Sequence, residues 1–466
     1  MPTPIDPTAC PEFGQLQQLP RRTLLGAGSL GMLGLGLPAL WSRTTHASVD
    51  GITGLGQAKR CIFCFMWGGP SQLDTFDMKP EAPKEVRGSF QSIATPVPGL
   101  QICEHFRHLA PLMDRVAVVR SLTHDDPAHL SSAHTVLTGH LPPVNKSDAE
   151  PPSERDTPHI GSVIARLRAP QNGLPPAVTM PWLAYHPSAP GGVAPGQHGG
   201  WLGRAYDPLL VGGDPSQPDW NVPALALLDG LSSPRLLERQ RLLTDIDAQR
   251  RALDRTAAGH SLSLQQEQAF GLLASPNVRA AFDLQAEPDE VRDRFGRNIH
   301  GQCVLLARRL IERGVQLVSV NWHNDGRNFW DTHGNNFNRL QNDLIPPADR
   351  ALTALLTDLE DRGLLDETLV VWVGEFGRRP QINGDGREHH PFCYSGLLAG
   401  GGIRGGSIYG RSDETANYPA ENPVTPQDFN ATVMHALGIA DDATLPDRTD
   451  RPVRLRHGHA ITELFG

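Results

Sequence analysis

Short runs rich in apolar and β-branched residues mark the chain at Cys61–Trp67, Arg115–Arg120, Val315–Asn321, Thr368–Gly374 and Tyr394–Ala399. Each is too short for a core helix and lacks the alternation of a half-exposed strand. The pattern therefore predicts strands buried on both faces, as in a parallel sheet. Between them, apolar positions recur at helical spacing. Pro234–Arg255 carries Leu236, Leu237, Leu242, Leu243, Ile246 and Leu253 on one side, with Arg and Glu interspersed. Val291–Arg313 and Pro346–Arg362 end at Gly314 and Gly363, as glycine-capped helices do. Strands alternating with helices predict an α/β fold, an open and mostly parallel central sheet with helices on both faces. In such sheets ligands gather at the carboxyl ends of the strands, so chemistry is expected just beyond each run.

The first 48 residues read as an export signal. Arg21-Arg22-Thr23-Leu24-Leu25 is a twin-arginine start, followed by an uncharged, Gly-rich stretch to Trp41 and a small-x-small cleavage site at Thr45-His46-Ala47. Gly26-Ala27-Gly28-Ser29-Leu30-Gly31 matches GxGxxG formally, but no strand precedes it, so it is signal-peptide glycine and not a nucleotide fingerprint. The apolar run is barely long enough to span a bilayer and no other stretch reaches that length. A cleaved signal handled by the Tat export machinery is thus expected, with no permanent membrane anchor, and a periplasmic or extracellular protein. The remainder, 58–466, is expected to form one domain. Within it, Leu141–Pro158 and the Gly- and Pro-rich Pro187–Tyr206 read as loops.

Composition narrows the function. Among 466 residues, Lys+Arg 42 against Asp+Glu 51 leaves a net charge of −9, with no basic stripe to neutralise phosphates, which excludes a general nucleic-acid binder. The apolar share of 39% against 20% charged suits a globular core and not a disordered chain. Once Cys10 leaves with the signal, Cys61, Cys64, Cys103, Cys303 and Cys393 remain, an odd and scattered set unlike a disulfide framework. Cys61 and Cys64 form C-x-x-C inside a strand, where positions three apart face opposite ways, so core positions are expected and not a redox or zinc pair.

The predicted strand ends carry the chemistry. After the first comes Gly68-Gly69-Pro70-Ser71-Gln72-Leu73-Asp74-Thr75-Phe76-Asp77, and after the second Thr123-His124-Asp125-Asp126-Pro127-Ala128-His129, leading into a helix through His134. The third leads to His323-Asn324-Asp325 and Trp330-Asp331-Thr332-His333, the fourth to Glu375-Phe376-Gly377-Arg378 and then Glu388-His389-His390. Nitrogen and carboxylate ligands of this kind suit zinc, manganese or a similar divalent ion. A solvated polar rim is the alternative. Asp77 and Asp125 read equally as helix or turn caps. Gly400–Gly406 reads as a plain turn or as a backbone anion cradle.

These segments together make the chain recognisable by resemblance. Trp67–Asp77, Trp330–Phe337, Gly374–Arg378 and Gly396–Gly406 resemble the signatures of a family of exported bacterial proteins of unknown function, DUF1501. The resemblance spans about 58 to 466 and implies membership of the alkaline phosphatase-like superfamily, with sulfatases and phosphodiesterases. It implies a two-metal site at the carboxyl ends of the sheet and a nucleophile at a helix start. Asp331 and His333 resemble the mid-chain metal ligands, Glu375 stands where that superfamily has Asp, Phe376 where it has His, and His389 resembles the late histidine ligand. Gly68 falls near the usual first-strand Asp, so Asp74 is expected to substitute for it. The nucleophile position is held by His129, with Ser131 and Ser132 beyond. No Cys-x-Pro-x-Arg occurs, which excludes a formylglycine sulfatase.

The resemblance implies a metal-dependent hydrolase of phosphate or sulfate esters acting on an anionic ester or glycan. Asp74, His129, Asp331, His333, Glu375 and His389 are the expected ligands of one or two divalent ions, Zn or Mn. Ser131, Arg378 and His124 are the expected catalytic groups, Ser131 as nucleophile where a metal-bound water does not attack directly, and Arg378 as the clamp on the oxyanion. The alternative is a catalytically degenerate secreted binding protein on the same scaffold.

Overall fold

A computed structural model describes residues 53–186, 189–222, 238, 273, 275–322 and 329–466. The expected export signal, the Pro234–Arg255 helix (Glu238 apart) and His323–Asp325 lie outside them. The central sheet is built from β1 (Arg60–Met66), β2 (Val116–Leu122), β3 (Ala177–Met180), β4 (Leu209–Leu210), β5 (Leu317–Trp322), β6 (Thr368–Val373), β9 (Tyr394–Ala399) and β10 (Ile408–Tyr409). Gly377–Arg378 (β7) and His389–His390 (β8) form a separate antiparallel ribbon. The order across the sheet is β10-β2-β9-β6-β1-β5-β3-β4.

All five expected strands form, and β1 pairs in parallel with both β5 and β6, as buried apolar runs require. One expectation fails in detail: Tyr394–Ala399 runs antiparallel to both β2 and β6. Parallel neighbours need a crossover connection. The chain instead leaves β6, passes through the β7–β8 ribbon and returns directly alongside. β3 and β4, four and two residues long, extend the other edge in parallel and were too short to stand out in the sequence.

Alternation along β1 divides the core. Ile62, Cys64 and Met66 join one apolar cluster with α3 (Ile299–Glu312) and α4 (Ile345–Asp361), while Cys61, Phe63 and Phe65 join the other with α1 (His129–Thr138), α2 (Ile160–Leu167) and α5 (Pro426–Ala436). The fold is thus α/β, a mostly parallel sheet covered by helices on both faces. Cys61 and Cys64 point into opposite clusters, and the five cysteines among the described residues are buried and unpaired there. The directions of pairing bring the carboxyl ends of β1, β2, β3, β5 and β6 to one rim. No helix among the described residues is long and apolar enough to cross a membrane.

Candidate metal centre

At the end of β1 the chain turns at Gly68, with φ +107°, and a Cβ there would lie 2.2 Å from the Asp331 nitrogen. Glycine is what lets the segment after β5 descend onto this turn, where Trp330 N–H donates to the Trp67 carbonyl at 2.7 Å. No side chain fits at residue 68, so this first strand end supplies backbone and no carboxylate. Its N–H donates to Glu375 Oε1 at 2.8 Å, joining the ends of β1 and β6.

Asp331 is the centre of the site. Its Oδ1 lies 3.0 Å from His333 Nε2 and 3.2 Å from His389 Nε2, and those two nitrogens are 2.9 Å apart. Its Oδ2 lies 3.6 Å from His129 Nε2 and 3.7 Å from His186 Nε2. Four imidazoles therefore turn Nε2 toward one carboxylate. Three are held by their other nitrogen: His129 Nδ1 at 2.6 Å from Glu375, His333 Nδ1 at 2.5 Å from Glu388, and His389 Nδ1 at 2.9 Å from the Pro127 carbonyl. Such partners keep the proton on Nδ1, so Nε2 is the nitrogen each imidazole can give to an ion, with loss of its proton where it carries one. Phe376 closes one side, its ring 4.9 Å from that of His129 and 4.5 Å from that of His389.

The electrostatics match. Burial opposes charge on Asp331, but Arg378 and the surrounding histidines hold its carboxyl far below the usual range. Burial also opposes charge on His129, yet the Asp331 and Glu375 carboxylates facing its two nitrogens push it up to about 9. The bond to Asp331 raises His333, and burial lowers His389.

A divalent ion fits these donors. His129, His186 and Asp331 form one three-ligand group, and Asp331, His333 and His389 another. The second triangle, with edges of 2.9, 3.0 and 3.2 Å, has the spacing of ligand atoms about 2.0–2.2 Å from one ion. Among the described residues His129 Nε2 and Glu375 Oε2 are both buried with no hydrogen-bond partner, an expensive arrangement in a protein interior that a nearby cation relieves.

The sequence-expected residues divide. His129, Asp331, His333 and His389 come together. Glu375 belongs to neither three-ligand group and stands behind His129, its Oε1 shared by His129 and the Gly68 N–H. Asp74 stands apart: fully buried, it accepts from Arg387 Nε at 2.8 Å, Arg387 Nη2 at 3.0 Å and Asn336 Nδ2 at 3.0 Å, and so neutralises a guanidinium. Arg378 faces inward as well. Its Nε donates to the Gly69 carbonyl and its Nη1 to the Arg387 carbonyl at 3.0 and 3.1 Å, while Nη2 serves the Gly68 carbonyl and Asp331. It positions Asp331 and leaves no fork for a substrate oxyanion. His124 accepts from Asp126 N–H on Nδ1 and donates from Nε2 to the Glu375 carbonyl at 2.8 Å, and burial lowers its basicity, so it braces the turn after β6. Ser131 Oγ accepts from Ser147 N–H at 3.1 Å and lines a separate recess of about 190 Å³ with the proline-rich loop after α1. His186 was not anticipated. Its signal was the short apolar run Ala177–Met180, whose carboxyl end it follows at the start of the Gly/Pro-rich loop.

Comparison with known proteins gives three findings. Solved structures that resemble the chain include a sulfatase from a Pseudoalteromonas species (12% identity over 86% of this chain and 72% of that one, TM-score 0.37). A phosphonate monoester hydrolase from Silicibacter pomeroyi matches at 10% identity over 87% and 75%, with a TM-score of 0.35. A Bacteroides thetaiotaomicron protein described under the metabolism of multiple glycosaminoglycans matches at 10% over 88% and 82%, with a TM-score of 0.40. No curated protein sequence matches. The family described as "Protein of unknown function (DUF1501)" matches residues 58–465, and the chain belongs to it.

Proposed function

We propose that this protein is an exported, metal-dependent hydrolase of phosphate or sulfate esters of the alkaline phosphatase-like kind. The observation that carries the reading is the convergence of four histidine Nε2 atoms on Asp331, three of them with Nδ1 already tethered. His129, His186 and Asp331 would hold one ion and Asp331, His333 and His389 a second, with Asp331 shared. Zn or Mn suits the imidazole and carboxylate donors. A bound ion would polarise the ester oxygen and make a water acidic enough to attack.

The chain's own part is orientation. Glu375, Glu388 and the Pro127 carbonyl hold the Nδ1 protons, and Arg378 neutralises Asp331 and keeps it between the histidines. His333, 43% exposed, marks the open side by which an ester reaches the centre. Among the described residues no hydroxyl nucleophile meets the cluster, and the helix start that a nucleophile would occupy carries the ligand His129. Direct attack by water is therefore the favoured route, and Ser131 is not assigned to it. Export rests on the twin-arginine start and the cleavage site.

Elemental analysis of the mature protein beside His186→Ala and Asp331→Asn tests the reading. One or two equivalents of zinc or manganese are expected, lost in Asp331→Asn and reduced in His186→Ala, with hydrolysis of p-nitrophenyl phosphate or sulfate lost in parallel. The second reading, a secreted binding protein, is favoured by that missing nucleophile and by Phe376. Stoichiometric metal with no turnover of either ester would establish it.

A further inference from the structure

Phe392 and Tyr418 are the two aromatic side chains among the described residues that remain well exposed, at 38% and 51%. They lie side by side, ring centroids 5.7 Å apart and tilted by 47°, each also against His390. His390 directly follows the cluster residue His389 on β8, and the two side chains leave the ribbon on opposite faces. The aromatic pair thus packs on the residue next to a cluster histidine. Arg379, exposed and in no ion pair among the described residues, extends the same ribbon, its N–H donating at 2.8 Å to the carbonyl of Glu388, two residues before His390.

The loop bearing Tyr418 is rigidly held. Asp413 accepts from the N–H groups of Thr415, Asn417 and Tyr418 at 2.9–3.0 Å, and its own N–H donates to the Tyr418 carbonyl at 2.8 Å. His390 Nε2 lies 2.7 Å from the Asn417 carbonyl. Buried Gln72 donates to the carbonyls of Ala416 and Arg378 and accepts from the Arg378 N–H, tying this loop to the strand that positions Asp331. An exposed aromatic on a loop fastened at every turn loses little freedom on binding, which is what a preformed recognition surface requires.

We propose that Phe392, Tyr418 and Arg379 form a subsite for a ring of an anionic polysaccharide whose ester lies at the metal centre. The inference rests on the hydrolase reading for the ester and on this surface for the saccharide. The C–H face of a pyranose covers an aromatic face while its hydroxyls stay in water, and a guanidinium pairs with a sulfate or phosphate in two parallel hydrogen bonds. A protein partner fits less well. Two rings edged by charged residues give far less than the roughly 800 Å² per side of a stable protein interface.

The test is calorimetric titration of the metal-replete mature protein with dextran sulfate, phosphomannan and neutral dextran. Wild type is expected to bind one of the two anionic polymers in preference to dextran. The polymer bound identifies the ester as sulfate or phosphate. Phe392→Ala/Tyr418→Ala is expected to weaken that binding at least tenfold with metal content and small-ester hydrolysis unchanged, Tyr418→Trp to retain it, and Arg379→Ala to erase the preference over dextran. Binding to neither anionic polymer, equal binding by wild type and the double variant, or loss that Tyr418→Trp shares would overturn the proposal. So would selective capture of a protein by this face. Polymer binding lost in the double variant while no ester is hydrolysed by wild type upholds the subsite and removes the hydrolase reading.

Discussion

Replacing Asp74 with Asn separates its two possible jobs. In the structure Asp74 and Arg387 are both fully buried and joined by two hydrogen bonds of 2.8 and 3.0 Å, with Asn336 Nδ2 completing the carboxylate at 3.0 Å. Arg387 spends its remaining donors on the carbonyls of Val86, Arg379 and Pro380, so the pair fastens the segment before β8 to the turn after β1. Asn keeps the shape but removes the charge and adds an amide donor. One side of that amide must face the Arg387 or Asn336 donors, and the guanidinium is left buried without a counter-ion. Breaking a buried pair in this way costs about 3–5 kcal/mol. In urea unfolding the midpoint of Asp74→Asn is therefore expected well below wild type with metal content unchanged, measured under conditions where the variant is still folded. Asp74→Asn/Arg387→Gln, which removes both charges, is expected to recover part of the loss, a coupling of about 0.5–3 kcal/mol. Loss of one equivalent of metal with an unchanged midpoint would refute the assignment and restore Asp74 to the ligand set.

Three further perturbations probe other parts of the arrangement. Glu388→Ala frees His333 Nδ1 at a partly exposed position, so metal affinity measured by competition with a chelator is expected to fall about 10–100-fold while thermal stability stays near wild type. An equal affinity would mean that His333 is not a ligand. Gly68→Ala forces a side chain at φ +107° against the Asp331 nitrogen, so about 1–3 kcal/mol of backbone strain is expected together with displaced Asp331 and at least tenfold weaker metal binding. His159 caps α2 through Nδ1 and burial pushes it down to about 3. Below the ordinary histidine value the unfolded chain takes up a proton that the folded protein refuses, so stability falls as pH drops from about 6.5 toward 3. Between pH 6.5 and 4.5 this group accounts for roughly 2–3 kcal/mol. His159→Asn, which keeps a capping acceptor, is expected to flatten that decline in unfolding measured at both pH values, and an unchanged slope would show that another group causes it.

The layers of this fold were legible because they follow from local pattern. Apolar runs of strand length on both faces imply a covered parallel sheet, and the opposite facing of Cys61 and Cys64 follows from the two-residue period alone. The rim was legible for the same reason, since strand ends in such a sheet collect on one side. Which rim residues meet was legible only in part. Asp331, His333, His389 and His129 were readable as donors at strand ends. Asp74 was equally plausible from the sequence, and its commitment to Arg387, more than three hundred positions away, has no local signature. Arg378 looked like an anion clamp because guanidinium often is one. Its fate depended on three carbonyls that the turns at Gly68–Gly69 and Arg387 present to it. His186 was missed because the strand before it has only four residues.

Gly68 and His129 explain each other. At the end of β1 the backbone of Trp330–Asp331 occupies the space a side chain would need, and a Cβ would collide with it. That close approach carries Asp331 inward, over the start of α1. A hydroxyl at the first residue of α1 would be too short to reach Asp331, whereas an imidazole spans the gap with Nδ1 on Glu375 and Nε2 on the Asp331 side. The two positions thus form one arrangement, in which a glycine admits the central aspartate and a histidine is placed for the ligand role proposed above. On this argument Gly68→Asp cannot restore a ligand. It is expected to destroy metal binding outright, and His129→Thr to lower it without creating a nucleophile. Covalent labelling of His129→Thr by a fluorophosphonate would contradict that.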